Sequence, residues 1–156
     1  MIRVRVTKSF QDIGVSVRKF QELVKAICRR FDLSKAVIGV AIVDNAQMRK
    51  LNCRFLGRDA STDCLSFDLS ERDERQSNRS FELVVNGELA NKEALLRGHS
   101  AEAELALYVT HCMLHNLGFD DLTQEQTKKM HDAEDEILRQ FGYGAVYGKK
   151  RHQGTK

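Results

Sequence analysis

Two histidines four residues apart, His111 and His115, lie in the stretch His111-Cys112-Met113-Leu114-His115-Asn116-Leu117-Gly118-Phe119-Asp120-Asp121. Side chains four apart share one face of a helix, and two imidazoles on one face make half of a zinc site. Gly118 can take the left-handed conformation that ends a helix. A chain that folds back there brings a carboxylate to the same ion. Two His and one carboxylate leave the fourth tetrahedral position open for water, the arrangement of a catalytic rather than a structural zinc. The residue after His111 is Cys112, where a zincin peptidase carries the Glu that acts as general base. Peptide hydrolysis is therefore disfavoured, while activation of water or polarisation of a phosphoryl oxygen by a metal is not.

The helix that carries the pair must be buried. Leu105, Leu107, Tyr108, Val109, Cys112, Met113, Leu114 and Leu117 wrap nearly every face of it. A buried imidazole without a partner costs free energy. Two histidines satisfied inside the core is the plain alternative. A metal, or a polar cleft opening onto the helix, removes the cost as well.

Other elements must position this helix. Ile2 to Val6 alternates like a half-buried strand. Val17, Phe20, Leu23, Val24, Ile27, Cys28 and Phe31 follow helical spacing. Ala36 to Val43 is a short, β-branched apolar run, hence a central strand, and Asp44 is placed to cap a short helix through Phe55. Thr62 to Leu69 and Phe81 to Val85 read as strands around a charged loop from Glu71 to Arg79. Glu88 to Leu96 is a helix ending near Gly98, and Ala101 to Leu117 is the histidine helix. Thr123 and Gln126 have the form of a capping box that opens the last helix, with Gly142 beyond its end. The order βαβαββααα describes an α/β (α+β) domain, a single mixed four-stranded sheet packed with about five helices. The expected domain runs over residues 1–143. Residues 144–156 carry Lys149, Lys150, Arg151, His152 and Lys156 with almost no hydrophobes, the composition of a disordered basic tail.

A chain of 156 residues is long enough for one sizeable core. Lys and Arg number 25 against 22 Asp and Glu, so the net charge of +3 permits an anionic partner without demanding one. The four cysteines, Cys28, Cys53, Cys64 and Cys112, show no C-x-x-C spacing, and most sit in apolar patterns as small hydrophobes. The expectation is a reducing, cytoplasmic setting with no disulfide framework. No apolar run is long enough to span a membrane, and because the chain enters a strand pattern at once no secretory segment is expected. His131 falls opposite Met130 and reads as a surface residue, and His99 and His152 carry no signal.

These residues resemble a known family, the YbeY endoribonucleases or ribosomal RNA maturation factors. Its signature H-G-x-x-H-x-x-G-Y-D-H is met in register by His111, His115, Gly118, Phe119 and Asp120, with Asp121 at the place of the third His. A second block, L-N-x-x-[YF]-R-x-x-D-x-P-T-D-V-L-S-F, is matched by Leu51, Asn52, Phe55, Asp59, Thr62, Asp63, Leu65, Ser66 and Phe67. A third, G-D-I, is approximated by Phe81-Glu82-Leu83. The resemblance implies one divalent metal, expected to be zinc, held by His111, His115 and Asp121. A carboxylate in the third position adds negative charge, so bound water should be less acidified and harder metals more competitive. Leu56 stands where the family carries an Arg linked to RNA cleavage. Arg54 and Arg58 are the nearby cations that could replace it, and Arg58 joins His111 as a candidate catalytic residue. Asp63 and Ser66 either line the cleft or cap and pair the strand. An ion pair of Arg58 with its neighbour Asp59 is the plain reading of that dipeptide.

What the resemblance implies is a metal-dependent, single-strand-specific endoribonuclease of ribosomal RNA maturation and ribosome quality control. Its partners would be single-stranded or ribosomal RNA and the small ribosomal subunit or assembly factors, with no DNA or membrane. RNA contacts would come from Arg54, Arg58, Lys149, Lys150 and Arg151. A non-catalytic ribosome-biogenesis factor is the alternative, distinguished by whether Arg54 or Arg58 points into the metal cleft. A metallohydrolase of another substrate class is the third reading.

Overall fold

The computed structural model describes residues 1–71 and 78–144. Four strands and five helices are formed in the expected order: β1 (Ile2–Lys8), α1 (Val17–Arg30), β2 (Lys35–Val43), α2 (Asn45–Leu56), β3 (Cys64–Asp68), β4 (Asn78–Asn86), α3 (Gly87–Arg97), α4 (Ala101–Asn116) and α5 (Gln124–Gln140). The sheet order is β1-β2-β4-β3. β1 and β4 run parallel to β2, and β3 runs antiparallel to β4 at the edge. The sheet is therefore mixed. β4 begins at Asn78, so the expected loop from Glu71 ends earlier than Arg79, and its residues 72–77 lie outside the described residues. So do residues 145–156, including Lys149, Lys150 and Arg151.

Period-two alternation sorts the strands between two apolar clusters. Ile38, Val40 and Ile42 of β2 and Phe81, Leu83 and Val85 of β4 join the large core with α1 and α4. Their neighbours Val43 and Val84, with Leu65 of β3, turn to the other face and pack with Met48 of α2. β2 reads as an unbroken apolar run because both of its faces are covered over much of its length.

Each helix begins with an oxygen-bearing cap. Ser16, Asp44, Asn86, Ser100 and Thr123 accept the backbone N–H three residues on. The Thr123–Gln126 capping box is formed. α4 is buried from Ala103 to Thr110 and from Cys112 to Leu114, and packs on β3 and β4 and against α1, α3 and α5. It carries one buried acid, Glu104, whose Oε1 lies 2.7 Å from Nε2 of His99. His99, which carried no signal in the sequence, is thus a partner of the central helix, with its side chain largely covered.

One expectation fails here. Cys64 of β3 and Cys112 of α4 are joined as a disulfide, their Cα atoms 6.8 Å apart. Alternation turns Cys64 to the α4 face of the sheet, where Cys112 comes down on it. A separation of 48 residues hides that pairing from any spacing rule. Cys28 is a buried free thiol, its pKa pushed up to about 11 by burial, and Cys53 is exposed.

Candidate metal centre

His111 and His115 occupy the last two turns of α4. Gly118 follows with φ of +101°, which glycine adopts without steric cost, and the Phe119 N–H returns to the Leu114 carbonyl at 3.0 Å. Phe119 locks the turn by setting its ring edge-on to Phe31, with centroids 5.6 Å apart. The chain then meets the α5 cap, where the Gln126 side chain accepts from the Leu122 and Thr123 N–H groups. This path carries Asp121 back to the histidines. Its Oδ2 stands 3.9 Å from Nε2 of His115. One ligand atom from each of His111, His115 and Asp121 lies within 4.8 Å of the others.

The hydrogen bonds decide how the imidazoles face. The Phe119 carbonyl lies 3.1 Å from Nδ1 of His115. A carbonyl only accepts, so Nδ1 donates and the neutral ring keeps its lone pair on Nε2. On the other ring, Nδ1 of His111 lies 2.6 Å from Oε2 of Glu134, a carboxylate on α5 with no exposure. An ionised carboxylate also only accepts. The two Nε2 atoms consequently confront each other at 3.1 Å. Two lone pairs at that distance repel unless a proton or a cation sits with them. The donor set, two imidazole nitrogens and a carboxylate oxygen, suits zinc. In the metal-free protein, burial pulls the His111 pKa down, but the hydrogen bond and charge of Glu134, aided by Asp63 and Asp121, outweigh it and leave the value raised.

The histidines open on a cleft with a volume of about 370 Å³ along the edge strand β3. Its lining includes Leu56, Arg58, Asp63 and Phe67. The loop that presents Arg58 is pinned along its length. Asn52 donates to the Ala60 carbonyl, Arg49 pairs with Asp59 at 2.7 Å, and the buried Asn86 amide donates to Ser61 and to the Thr62 carbonyl. Asp59 is thus bound by Arg49, not by its neighbour Arg58. Arg54 is not part of the lining. Its guanidinium lies 5.4 Å from the Phe55 ring centre. Asp63 both lines the cleft and accepts the Cys64 N–H at 2.7 Å, and Ser66 donates to Asn116 Oδ1.

Sequence reasoning missed two residues on α5. Glu134 is one, since nothing in a helical stretch of acids marks which will meet a histidine of another helix. His131 is the other. It is buried rather than on the surface, 3.8 Å from Glu134 Oε1, because α5 is clasped on more than its Met130 stripe.

Comparison with known proteins identifies the family. A family profile described as Endoribonuclease YbeY matches residues 5–142. The chain belongs to the YbeY endoribonuclease family. The protein named Endoribonuclease YbeY from Caldanaerobacter subterraneus subsp. tengcongensis is 37% identical over 116 residues, 67% of this chain and 73% of that relative. Its counterpart in Syntrophomonas wolfei subsp. wolfei is 30% identical over 145 residues, 87% of this chain and 89% of that relative. The solution structure of TM1509 from Thermotoga maritima has the same fold, with a TM-score of 0.61 at 23% identity, covering 96% of this chain and 93% of that one. Set against the signatures quoted above, Asp121 stands at the place of a His, and Leu56, in the cleft wall, at the place of an Arg.

Proposed function

We propose that this chain is a metal-dependent endoribonuclease that cuts single-stranded RNA, with zinc as its ion. The observation that carries the reading is the pair of Nε2 atoms turned on each other at 3.1 Å while both Nδ1 atoms are engaged elsewhere. His111, His115 and Asp121 would hold the ion, which would supply Lewis acidity and an acidified water at the phosphodiester. Glu134 fixes the tautomer of His111 and makes its outer nitrogen a better donor. The Phe119 carbonyl does the same for His115. Arg58, in the cleft wall, supplies positive charge for the phosphoryl oxygens as charge grows on them. Family membership supports RNA as the substrate. Ribosomal RNA maturation, partnership with the small subunit or its assembly factors, a cytoplasmic setting and RNA contacts from Arg54 and the Lys149, Lys150 and Arg151 tail extend the same reading. Among the described residues, no helix is long and apolar enough to cross a membrane.

Leu56 gives the second reading its footing. It lines the cleft where the family resemblance expects an arginine, and a chain lacking that cation would keep the metal and assist ribosome assembly without efficient cleavage. Incubation of the purified protein with matched single-stranded and duplex RNA, before and after chelation, separates the two. Cleavage of the single strand that chelation abolishes and zinc restores is the expected result. Intact RNA in every arm, with metal bound, would leave the assembly factor.

A further inference from the structure

The end of α2 exposes two adjacent apolar side chains. Phe55 is 53% exposed and Leu56 52%. Phe55 is nevertheless held in place, because it meets the half-buried Phe67 of β3 edge to face, with centroids 5.3 Å apart and an interplanar angle of 65°. Phe67 and Leu56 line the histidine cleft. An apolar strip therefore runs from the cleft across its rim to the Phe55 ring. Arg54 and Arg58 bracket it in the chain, one beside the ring and one in the cleft wall. Basic groups alternating with exposed aromatic surface is the pattern that neutralises phosphates while bases stack.

We propose that this strip is a nucleobase platform, on which an unpaired base of the RNA strand stacks against Phe55 and passes its phosphates to Arg54 and Arg58. The proposal rests on the ribonuclease reading above and deepens it, since only an unpaired base presents a free face to a ring at the cleft rim. The fixed edge contact with Phe67 means that the ring loses little freedom on binding. Arg54 lies over Phe55 at a loose 5.4 Å. An exposed contact of that kind is worth less than a stacked base, so a base displaces the guanidinium and leaves it available to phosphate. Where the family resemblance expects Arg, Leu56 lengthens the apolar strip, so this chain exchanges part of the phosphate grip for base contact.

The chain contains no tryptophan, so Phe55→Trp places a single fluorophore at the platform. The probe is a single-stranded 2′-O-methyl ribo-oligonucleotide, checked to be intact after each measurement, compared with an abasic version of equal length and charge. Quenching of the Trp by the first and not by the second is expected. Wild-type protein should bind the abasic strand about tenfold or more weakly. Phe55→Ala should lose a similar factor toward the normal strand, with metal content and the salt slope of binding unchanged, because phosphate contacts persist. If wild type cleaves RNA but binds both strands equally, the platform is wrong and the ribonuclease reading stands. Binding by Phe55→Ala that matches wild type would overturn the platform in the same way. If wild type neither binds nor cleaves RNA, both fall together.

Discussion

Glu134 makes the sharpest demand on the proposed centre. Its carboxylate is wholly buried and 2.6 Å from Nδ1 of His111, a charge-assisted bond at the short end of its range. Glu134→Gln keeps the volume and keeps an oxygen that can accept from Nδ1, so the tautomer survives. What disappears is the negative charge that raises the basicity of Nε2 and attracts the cation. Loss of such a partner costs about ten- to a hundredfold in metal affinity, and retention of the tautomer places Gln near the lower bound. Glu134→Ala removes acceptor and packing together, and should fall near the upper bound. Stability should separate the two. Gln keeps the hydrogen bond but loses the ion pair, so metal-free stability should fall at low pH and change little once pH exceeds the raised His111 value, whereas Ala leaves a void and an unpaired imidazole and should destabilise by about 2–4 kcal/mol even at high pH. Zinc competition against a chromophoric chelator gives the affinities, and thermal melts of the metal-free proteins give the stabilities. Folded Gln and Ala variants that bind zinc within twofold of wild type would refute the orientation role, and with it the reason for reading the 3.1 Å Nε2 pair as a ligand pair.

Three further outcomes follow from the same geometry. Because the His111 pKa is raised in the metal-free protein, a proton must leave before the ion binds. Zinc affinity should climb as pH rises above about 6.5. The ion pair's contribution to metal-free stability runs the other way, present at low pH and lost as pH passes the folded value. A pH-independent zinc affinity up to about pH 8 would contradict this. Alkylation under denaturing, non-reducing conditions should modify Cys28 and Cys53 and leave Cys64 linked to Cys112 in the peptide map. Reduction should lower the unfolding free energy by about 2–4 kcal/mol for a loop of this length, and four freely alkylated thiols would dismiss the bridge. Leu56→Arg should raise cleavage of single-stranded RNA if the cleft lacks a cation, whereas Arg58→Ala should cost on the order of a hundredfold if Arg58 already supplies it. Robust cleavage untouched by either change would show that no cation in this loop acts on the phosphate.

Much of this is legible in the sequence, for physical reasons that differ by element. The caps at Asp44 and Thr123 and the alternation of β1 are local, so the chain displays them directly. The return at Gly118 is legible because only glycine adopts φ of +101° freely, and it places Asp121 beside His115. The features that escape a reading of the sequence are all long-range. Glu134 meets His111 across 23 residues, and Cys64 meets Cys112 across 48. The burial of the His99 and His131 side chains is hidden because a histidine's partner, here a buried Glu in each case, decides whether burial is tolerable. Arg58 and Arg54 look alike in sequence. Only the loop anchored by Asn52, Asn86 and Arg49 sends one of them into the cleft and leaves the other beside Phe55.

Everything proposed for the cleft depends on His111, His115 and Asp121 together holding one divalent ion. The metal content of purified protein decides this, measured by elemental mass spectrometry for wild type and for His115→Ala, with folding of each checked by circular dichroism. One equivalent of zinc in wild type and a trace in the variant is the expected result, since the variant keeps only one imidazole and a carboxylate. Equal metal in both folded proteins, or none in wild type after reconstitution with excess zinc, would show that these three residues are not the ligands of such an ion.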